Sequence, residues 1–261
     1  MIKKWEVMIP ELTGKEKRFA YIYLPDSYEQ KAGKRYPVLY MFDGHNVFFD
    51  EDATYGKSWG MKAFLERWGK KMIIVGIECG HDGYERLYEY LPYKADWVTD
   101  SDTLRLGEET FQWIIHDIKP MIDKEYRTYP FRECTAIGGS SMGGIMALYG
   151  IVKHNMWFSK GACISSAIHS CMDDLMHDLW NLPIDPDTRA YLSWGTREAG
   201  CEDHTKEDRS SHSYHCNRAV AEAFKERGAR ARLRCQVGGG HCEADWERLI
   251  PDFLGFLWQD R

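Results

Sequence analysis

Gly139-Ser140-Ser141-Met142-Gly143 reads as G-x-S-x-G, the pattern of a nucleophile elbow. One register fits. Ser141 has glycine two residues away on either side, whereas Ser140 has Met142 where the second glycine is needed. An elbow places its serine in a sharp turn between a strand and a helix, and small neighbours let the chain turn without clashes. The flanks supply that context. Cys134-Thr135-Ala136-Ile137 predicts a short buried strand, and Gly144-Ile145-Met146-Ala147-Leu148-Tyr149 predicts a helix packed closely under a sheet.

Working outward, Tyr36–Phe42 and Met72–Ile77 are nearly continuous apolar runs, as buried parallel strands require. Trp59–Trp68 between them reads as a helix. Thr110–Tyr126 carries Phe111, Ile114, Ile115, Ile118 and Ile122 at helical spacing, with Pro120 expected to kink it or end its first part. Gly161–Ser165, Ala190–Trp194 and Ala231–Val237 predict further strands, and Ser213–Arg227 and Glu243–Trp258 predict helices. Trp5–Ile9 and Arg18–Leu24 alternate like antiparallel strands around the charged turn at residues 13–17. Strands alternating with helices imply a mostly parallel, doubly wound sheet covered on both faces, with an antiparallel edge from the two leading strands. That is the α/β-hydrolase plan, with its site at the carboxyl ends of the strands. No repeat, low-complexity tract or proline-rich linker divides residues 1–261, so one domain is expected. Cys171–Pro186 interrupts the alternation and reads equally as a small cap over a pocket or as a surface helix.

A serine hydroxyl needs a base, and His241 stands where this plan requires one: after Val237-Gly238-Gly239-Gly240, between the last strand and the last helix. An acid that orients the imidazole belongs in the loop after Ala190–Trp194. Glu198 is the first carboxylate there, with Asp203 as the alternative and Glu202 behind both. The backbone N–H of Met142 is expected to form half of an oxyanion hole, and that of His45 in Asp43-Gly44-His45-Asn46 the other half. Gly44 would let that loop approach substrate. Arg86, Trp59 and Trp180 are candidate pocket residues, and Trp97 and Trp194 lie in segments that reach toward one; for each tryptophan, packing under a loop is the simpler reading.

Composition excludes several classes. With 34 Lys and Arg against 40 Asp and Glu, the formal charge of −6 argues against a nucleic-acid partner. No apolar run approaches a membrane span, and no apolar stretch follows Lys3-Lys4 as in an export signal, so a cytoplasmic protein is expected. The eight cysteines include no C-x-x-C pair and are expected to be reduced thiols. His212, His215 and nearby His204 lie in a very polar segment that reads as a solvated loop and helix start; no metal and no cofactor are expected.

Several blocks together resemble the putative-esterase family of α/β-hydrolases, over roughly residues 18–258. These are Tyr36–Gly44, Arg86 with Glu89-Tyr90-Leu91-Pro92, Ile137–Gly144, Gly195-Thr196-Arg197-Glu198, and Gly239-Gly240-His241 with Trp246. The family includes esterase D, enterochelin-type siderophore esterases, feruloyl and acetylxylan esterases, and mycolyltransferases. The resemblance implies a Ser141–His241–Glu198 triad, oxyanion donors at His45 and Met142, and an acyl-enzyme reaction on a small-molecule ester of short-chain acyl, hydroxycinnamoyl or siderophore type. Asp43-Gly44-His45-Asn46-Val47-Phe48 departs from the commoner His-Gly opening and is similar to the enterochelin-esterase-like branch. An acyltransferase or a serine peptidase would use the same residues, and a binding protein on this fold would use none of them. A homo-oligomer is compatible with the sequence.

Overall fold

The computed structural model describes residues 1–8, 17–95, 104–198 and 200–258; the turn expected at 13–17 therefore falls mostly outside the described residues, as do Ile9 and Trp97. Its frame is an eight-stranded sheet. β1 (Ile2–Val7) and β2 (Arg18–Tyr23) pair antiparallel, and β2 pairs antiparallel with β4 (Ile73–Ile77). From β4 onward every pairing is parallel, through β3 (Val38–Phe42), β5 (Thr135–Ser140), β6 (Lys160–Ile164), β7 (Arg189–Gly195) and β8 (Arg230–Gln236). The order β1-β2-β4-β3-β5-β6-β7-β8 is the expected mixed sheet with its antiparallel edge.

The continuous apolar runs have a direct cause. Alternate residues of a strand point to opposite faces, so a strand covered on both faces is apolar throughout. In β3, Val38, Tyr40 and Phe42 enter one core while Leu39 and Met41 enter the other. The Leu39 face is covered by α1 (Met61–Arg67) through Met61 and Leu65, and by the C-terminal helix through Phe253, Leu254 and Leu257. The opposite face carries the remaining long helices.

Several boundaries differ from expectation for identifiable reasons. A short helix, α2 (Glu85–Glu89), follows β4. The helix expected at 110–126 starts earlier, as α3 (Gly107–Trp113), and widens to a π-turn over Ile114–Ile118 before α4 (Lys119–Glu125). Pro120 lacks an N–H and crowds the preceding turn, and the wider turn in front of it accommodates that without a break. β5 continues to Ser140, beyond its apolar run, because Gly138, Gly139 and Ser140 still pair with Ala162, Cys163 and Ile164. α5 (Met142–Lys153) then leaves the elbow. α6 (Met172–Asn181) connects β6 to β7, and its Leu175 and Leu179 are buried in the core. α7 (His212–Glu226) begins on a Ser211 side chain that accepts from the Tyr214 N–H, a regular N-cap. The final helix is two pieces, α8 (Glu243–Glu247) and α9 (Ile250–Trp258), with Pro251 in the first turn of the second, where proline fits. Among the described residues no helix is long and apolar enough to cross a membrane.

Candidate active site

Ser141 joins β5 to α5 with φ 57° and ψ −119°, a conformation costly for any residue other than glycine. Its surroundings leave little freedom. A Cβ on Gly139 would lie 2.7 Å from the backbone C and O of Gly143, so the two glycines of the motif meet across the turn. The Ser141 N–H donates to the Ile164 carbonyl of β6 at 3.0 Å, tying the elbow to the neighbouring strand. The Met142 N–H stands in the first turn of α5, where helical N–H groups have no helical acceptor and the helix dipole is positive.

Two loops at the same edge of the sheet bring an acid and an imidazole together. Glu198 follows β7 and His241 follows β8, and Glu198 Oε2 lies 2.9 Å from His241 Nδ1. The loops are pressed together: a Cβ on Gly195 would lie 2.3 Å from the Gly239 carbonyl oxygen. Glu198 is held from behind. Ser165, just past β6 at φ 45°, donates its hydroxyl to Glu198 Oε1 at 2.8 Å and accepts from Trp246 Nε1 at 3.0 Å. Trp246 also meets the His241 ring edge to face, with centroids 5.0 Å apart. The Glu198 side chain is 11% exposed and that of His241 45%, so the acid is enclosed while the imidazole stays open to the cavity. Asp203, the alternative acid, bonds the Thr205 N–H at 2.9 Å and its hydroxyl at 2.6 Å, and pairs with Lys206 at 2.9 Å on the surface. The structure brings Glu198, not Asp203, to His241.

The facing wall starts from Asp43, itself at φ 55°. Arg86 grips its carboxylate through Nε at 2.7 Å and a terminal nitrogen at 2.8 Å, and the Asp43 N–H donates to Tyr90 Oη at 3.1 Å. Burial alone would push the Asp43 carboxyl up, but the Arg86 guanidinium holds it below the ordinary carboxylate range. α2 is anchored in turn by the buried bidentate pair of Arg18 and Glu89, at 2.7 and 2.6 Å. Gly44 has a packing reason to be glycine beyond the one expected. A Cβ there would lie 2.5 Å from the Gly76 carbon and the Ile77 nitrogen, so the loop approaches β4 closely at this point. His45 follows in a 3₁₀ turn, Gly44–Asn46, its Nε2 3.0 Å from Thr54 Oγ1.

These walls enclose a cavity of about 510 Å³ lined by Ser141, His241, His45, Arg86 and Glu243 among others. Two expected pocket residues lie elsewhere. Trp59 is buried against Trp246 and Phe253, with ring centroids 5.7 and 6.2 Å away, and supports the wall from behind. Trp180 is exposed on α6, whose buried face packs on the core, and no residue of Cys171–Pro186 lines this cavity. Trp194 is also buried, its Nε1 donating to Asp208 at 3.0 Å.

A family model described as Putative esterase matches residues 13–257. The chain belongs to this family. It is thereby a carboxylic ester hydrolase. Esterase MT1326 of Mycobacterium tuberculosis (strain CDC 1551 / Oshkosh) is 31% identical over 144 residues, which cover 54% of this chain and 27% of that protein. Among solved structures, a ferulic acid esterase is similar with a TM-score of 0.67 at 19% identity, over 98% of this chain and 97% of that one. The enterobactin esterase FES from Shigella flexneri is similar with a TM-score of 0.72 at 16% identity, over 99% of this chain and 59% of that one. At such identities the structural likeness establishes the α/β-hydrolase fold.

Sequence reasoning missed several residues of the esterase's cavity and of the support behind it. Ser165 stands just past the carboxyl end of β6, and strand-end position is the signal that could have found it. Glu243 lines the cavity two residues after His241, and burial, with Asp43 nearby, pushes its carboxyl up. Cys79 and His81 also line it, from the segment after β4. His204, by contrast, is occupied in its own loop, its Nδ1 2.7 Å from the Thr196 carbonyl oxygen.

Proposed function

We propose that the esterase hydrolyses a small-molecule ester through an acyl-enzyme on Ser141, with His241 as base and Glu198 as its orienting acid. The observation that carries this reading is the 2.9 Å contact between His241 Nδ1 and Glu198 Oε2 at a cavity that Ser141 also lines. A carboxylate at Nδ1 fixes the proton there, which leaves Nε2 as the basic nitrogen and stabilises the imidazolium formed when it takes the Ser141 proton. Ser141 attacks the ester carbonyl, and the oxyanion forms between the N–H groups of Met142 and His45. Each such donor contributes about 3 kcal/mol to lowering the barrier. His241 then protonates the leaving alcohol, and water activated by the same imidazole releases the acid.

The substrate class is a compact ester of short-chain acyl, hydroxycinnamoyl or siderophore type. The cavity supports this through its size and through Arg86, which lines it while held by Asp43. The test is Ser141→Ala assayed on a short-chain nitrophenyl ester together with fluorophosphonate labelling. Turnover is expected to fall by about 10⁴-fold or more, with labelling abolished. Wild-type turnover by the variant would end the assignment.

A further inference from the structure

Cys79 and His81 leave β4 two residues apart, and His45 leaves the adjacent β3, so the sheet itself sets the three side chains side by side. Their ligating atoms all lie within 4.8 Å of one another, and the His45 and His81 rings meet at 67° with centroids 4.6 Å apart. His45 and Cys79 are buried, and His81 is half exposed at the cavity. His45 carries the more telling feature. Its Nε2 contacts Thr54 Oγ1, while its Nδ1 is buried with no hydrogen-bond partner. A buried polar nitrogen is ordinarily satisfied. With the Nε2–H donating to Thr54, Nδ1 presents a bare lone pair, and a hydrogen bond at the far ring nitrogen is how metal-binding histidines are oriented. His81 also faces a carboxylate, though at ion-pair rather than hydrogen-bond distance: its Nε2 is 3.9 Å from Glu78, which is itself held by the Phe19 N–H and Tyr21 Oη.

We propose that His45, Cys79 and His81 form a binding site for a thiophilic divalent cation of the Zn²⁺ class, with its open coordination position facing the Ser141 cavity. Two imidazoles and a thiolate select such ions over Mg²⁺ or Ca²⁺, which take oxygen ligands. Tetrahedral bonds of about 2.0–2.3 Å place ligand atoms roughly 3.3–3.8 Å apart, so small side-chain rotations close the site. On binding, the Cys79 thiol loses its proton to solvent as the sulfur–metal bond forms, and both imidazoles bind as neutral donors; nothing is oxidised or reduced. All three ligands line the same cavity as Ser141 and His241, so an occupied site fills space at the reacting centre. That consequence rests on the esterase mechanism proposed above, and the expected outcome is metal inhibition of hydrolysis.

Cobalt(II) titration of the metal-free protein tests binding without any assay of turnover. A thiolate-to-cobalt charge-transfer band is expected to saturate at one equivalent, to be displaced by Zn²⁺, and to vanish in Cys79→Ser. Cys242→Ser is the control, because that exposed thiol lies beside His241. Should Cys79→Ser fail to fold, His81→Ala at its half-exposed position serves instead, with affinity expected to drop at least tenfold. Absence of a stoichiometric band, its survival in Cys79→Ser, its loss in Cys242→Ser, or unchanged affinity in His81→Ala would overturn the site. Zn²⁺ is further expected to inhibit wild-type hydrolysis in proportion to occupancy and to inhibit His81→Ala only at correspondingly higher concentration. A metal-free protein without esterase activity that still gives the band would sink the catalytic reading and leave the site standing.

Discussion

The elbow and the acid–base arm meet in one cavity but are held by different physics. Ser141 is positioned by backbone. Its φ of 57° is enforced where Gly139 and Gly143 touch, and its own N–H is bonded to β6. His241 is positioned by side chains, through Glu198, then Ser165, then Trp246, which together with His241 come from three separate loops and a helix. Backbone crowding fixes an atom firmly and admits no added methyl. A chain of side-chain bonds tolerates substitution in the fold while transmitting each loss to the imidazole. The nucleophile is therefore expected to fail through structure, and the base through protonation and orientation.

Glu198→Gln should produce the largest separation between those two modes. An amide in place of the carboxylate no longer fixes the Nδ1 proton or stabilises the imidazolium, so kcat is expected to drop by about 10³–10⁴-fold. The melting temperature should change little, because the amide keeps the volume and can still bond Ser165. Steady-state kinetics beside a thermal melt check this; a rate within tenfold of wild type would remove Glu198 from the mechanism. Gly139→Ala is the complementary break. The three atoms nearest the added Cβ would all be backbone atoms of Gly143, at 2.7–3.0 Å, so relief requires the elbow itself to move. Overpacking of this kind costs about 1–3 kcal/mol. A displacement near 1 Å costs roughly 10²-fold in rate. Loss of both stability and kcat is expected, against loss of kcat alone in Glu198→Gln.

The sequence disclosed one of these regions more fully than the other. The elbow is local: a glycine–serine–glycine pattern between an apolar strand and a small-residue helix is visible within a dozen residues. The strands were legible because two-sided burial makes them continuously apolar, and strand order then placed Glu198 and His241 at one edge. What the sequence concealed depends on contacts between distant segments. A side chain on Gly44 would collide with Gly76 and Ile77, 32 and 33 residues on, and nothing near Gly44 in the chain says so. For Trp59 packing is the simpler reading and a pocket the alternative, and the contacts with Trp246 and Phe253 bear out packing. The His45, Cys79 and His81 cluster joins two loops through the pairing of β3 with β4, a spacing no motif records.

A smaller effect is expected where the acid loop is supported. Asp208 accepts from Trp194 Nε1 at 3.0 Å, from the N–H groups of Ser210 and Ser211 at 3.0 and 2.9 Å, and from the Ser211 hydroxyl. Burial would raise its carboxyl, but these donors prevail and hold it down at about 2. The sign follows from linkage. A depressed folded pKa adds stability above the ordinary aspartate value near 3.9, and that stability is lost as pH falls through it toward about 2. The contribution at neutral pH is about 2 kcal/mol. Asp208→Asn should lower the melting temperature at pH 7 and flatten its decline between about pH 5 and 2. An unchanged slope would show that these bonds do not carry the pH dependence.

Asp203→Asn should do least of all, and that is its use. Asp203 stands in the same stretch between β7 and α7 as Glu198, and by position in the chain either could serve His241. The distinction is physical. Asp203 spends its oxygens on Thr205 and on a lysine whose side chain is 79% exposed, and exposed pairs of this kind contribute little to stability. Glu198 is enclosed and reaches both Ser165 and His241. Asp203→Asn should therefore leave kcat within about twofold and the melting temperature nearly unmoved. A rate loss matching that of Glu198→Gln would mean that the loop rearranges in the working enzyme and that the acid is supplied from further along it. A small effect at Asp203 beside a large one at Glu198 would confine the arm to the three-loop chain of bonds that holds His241 at rest.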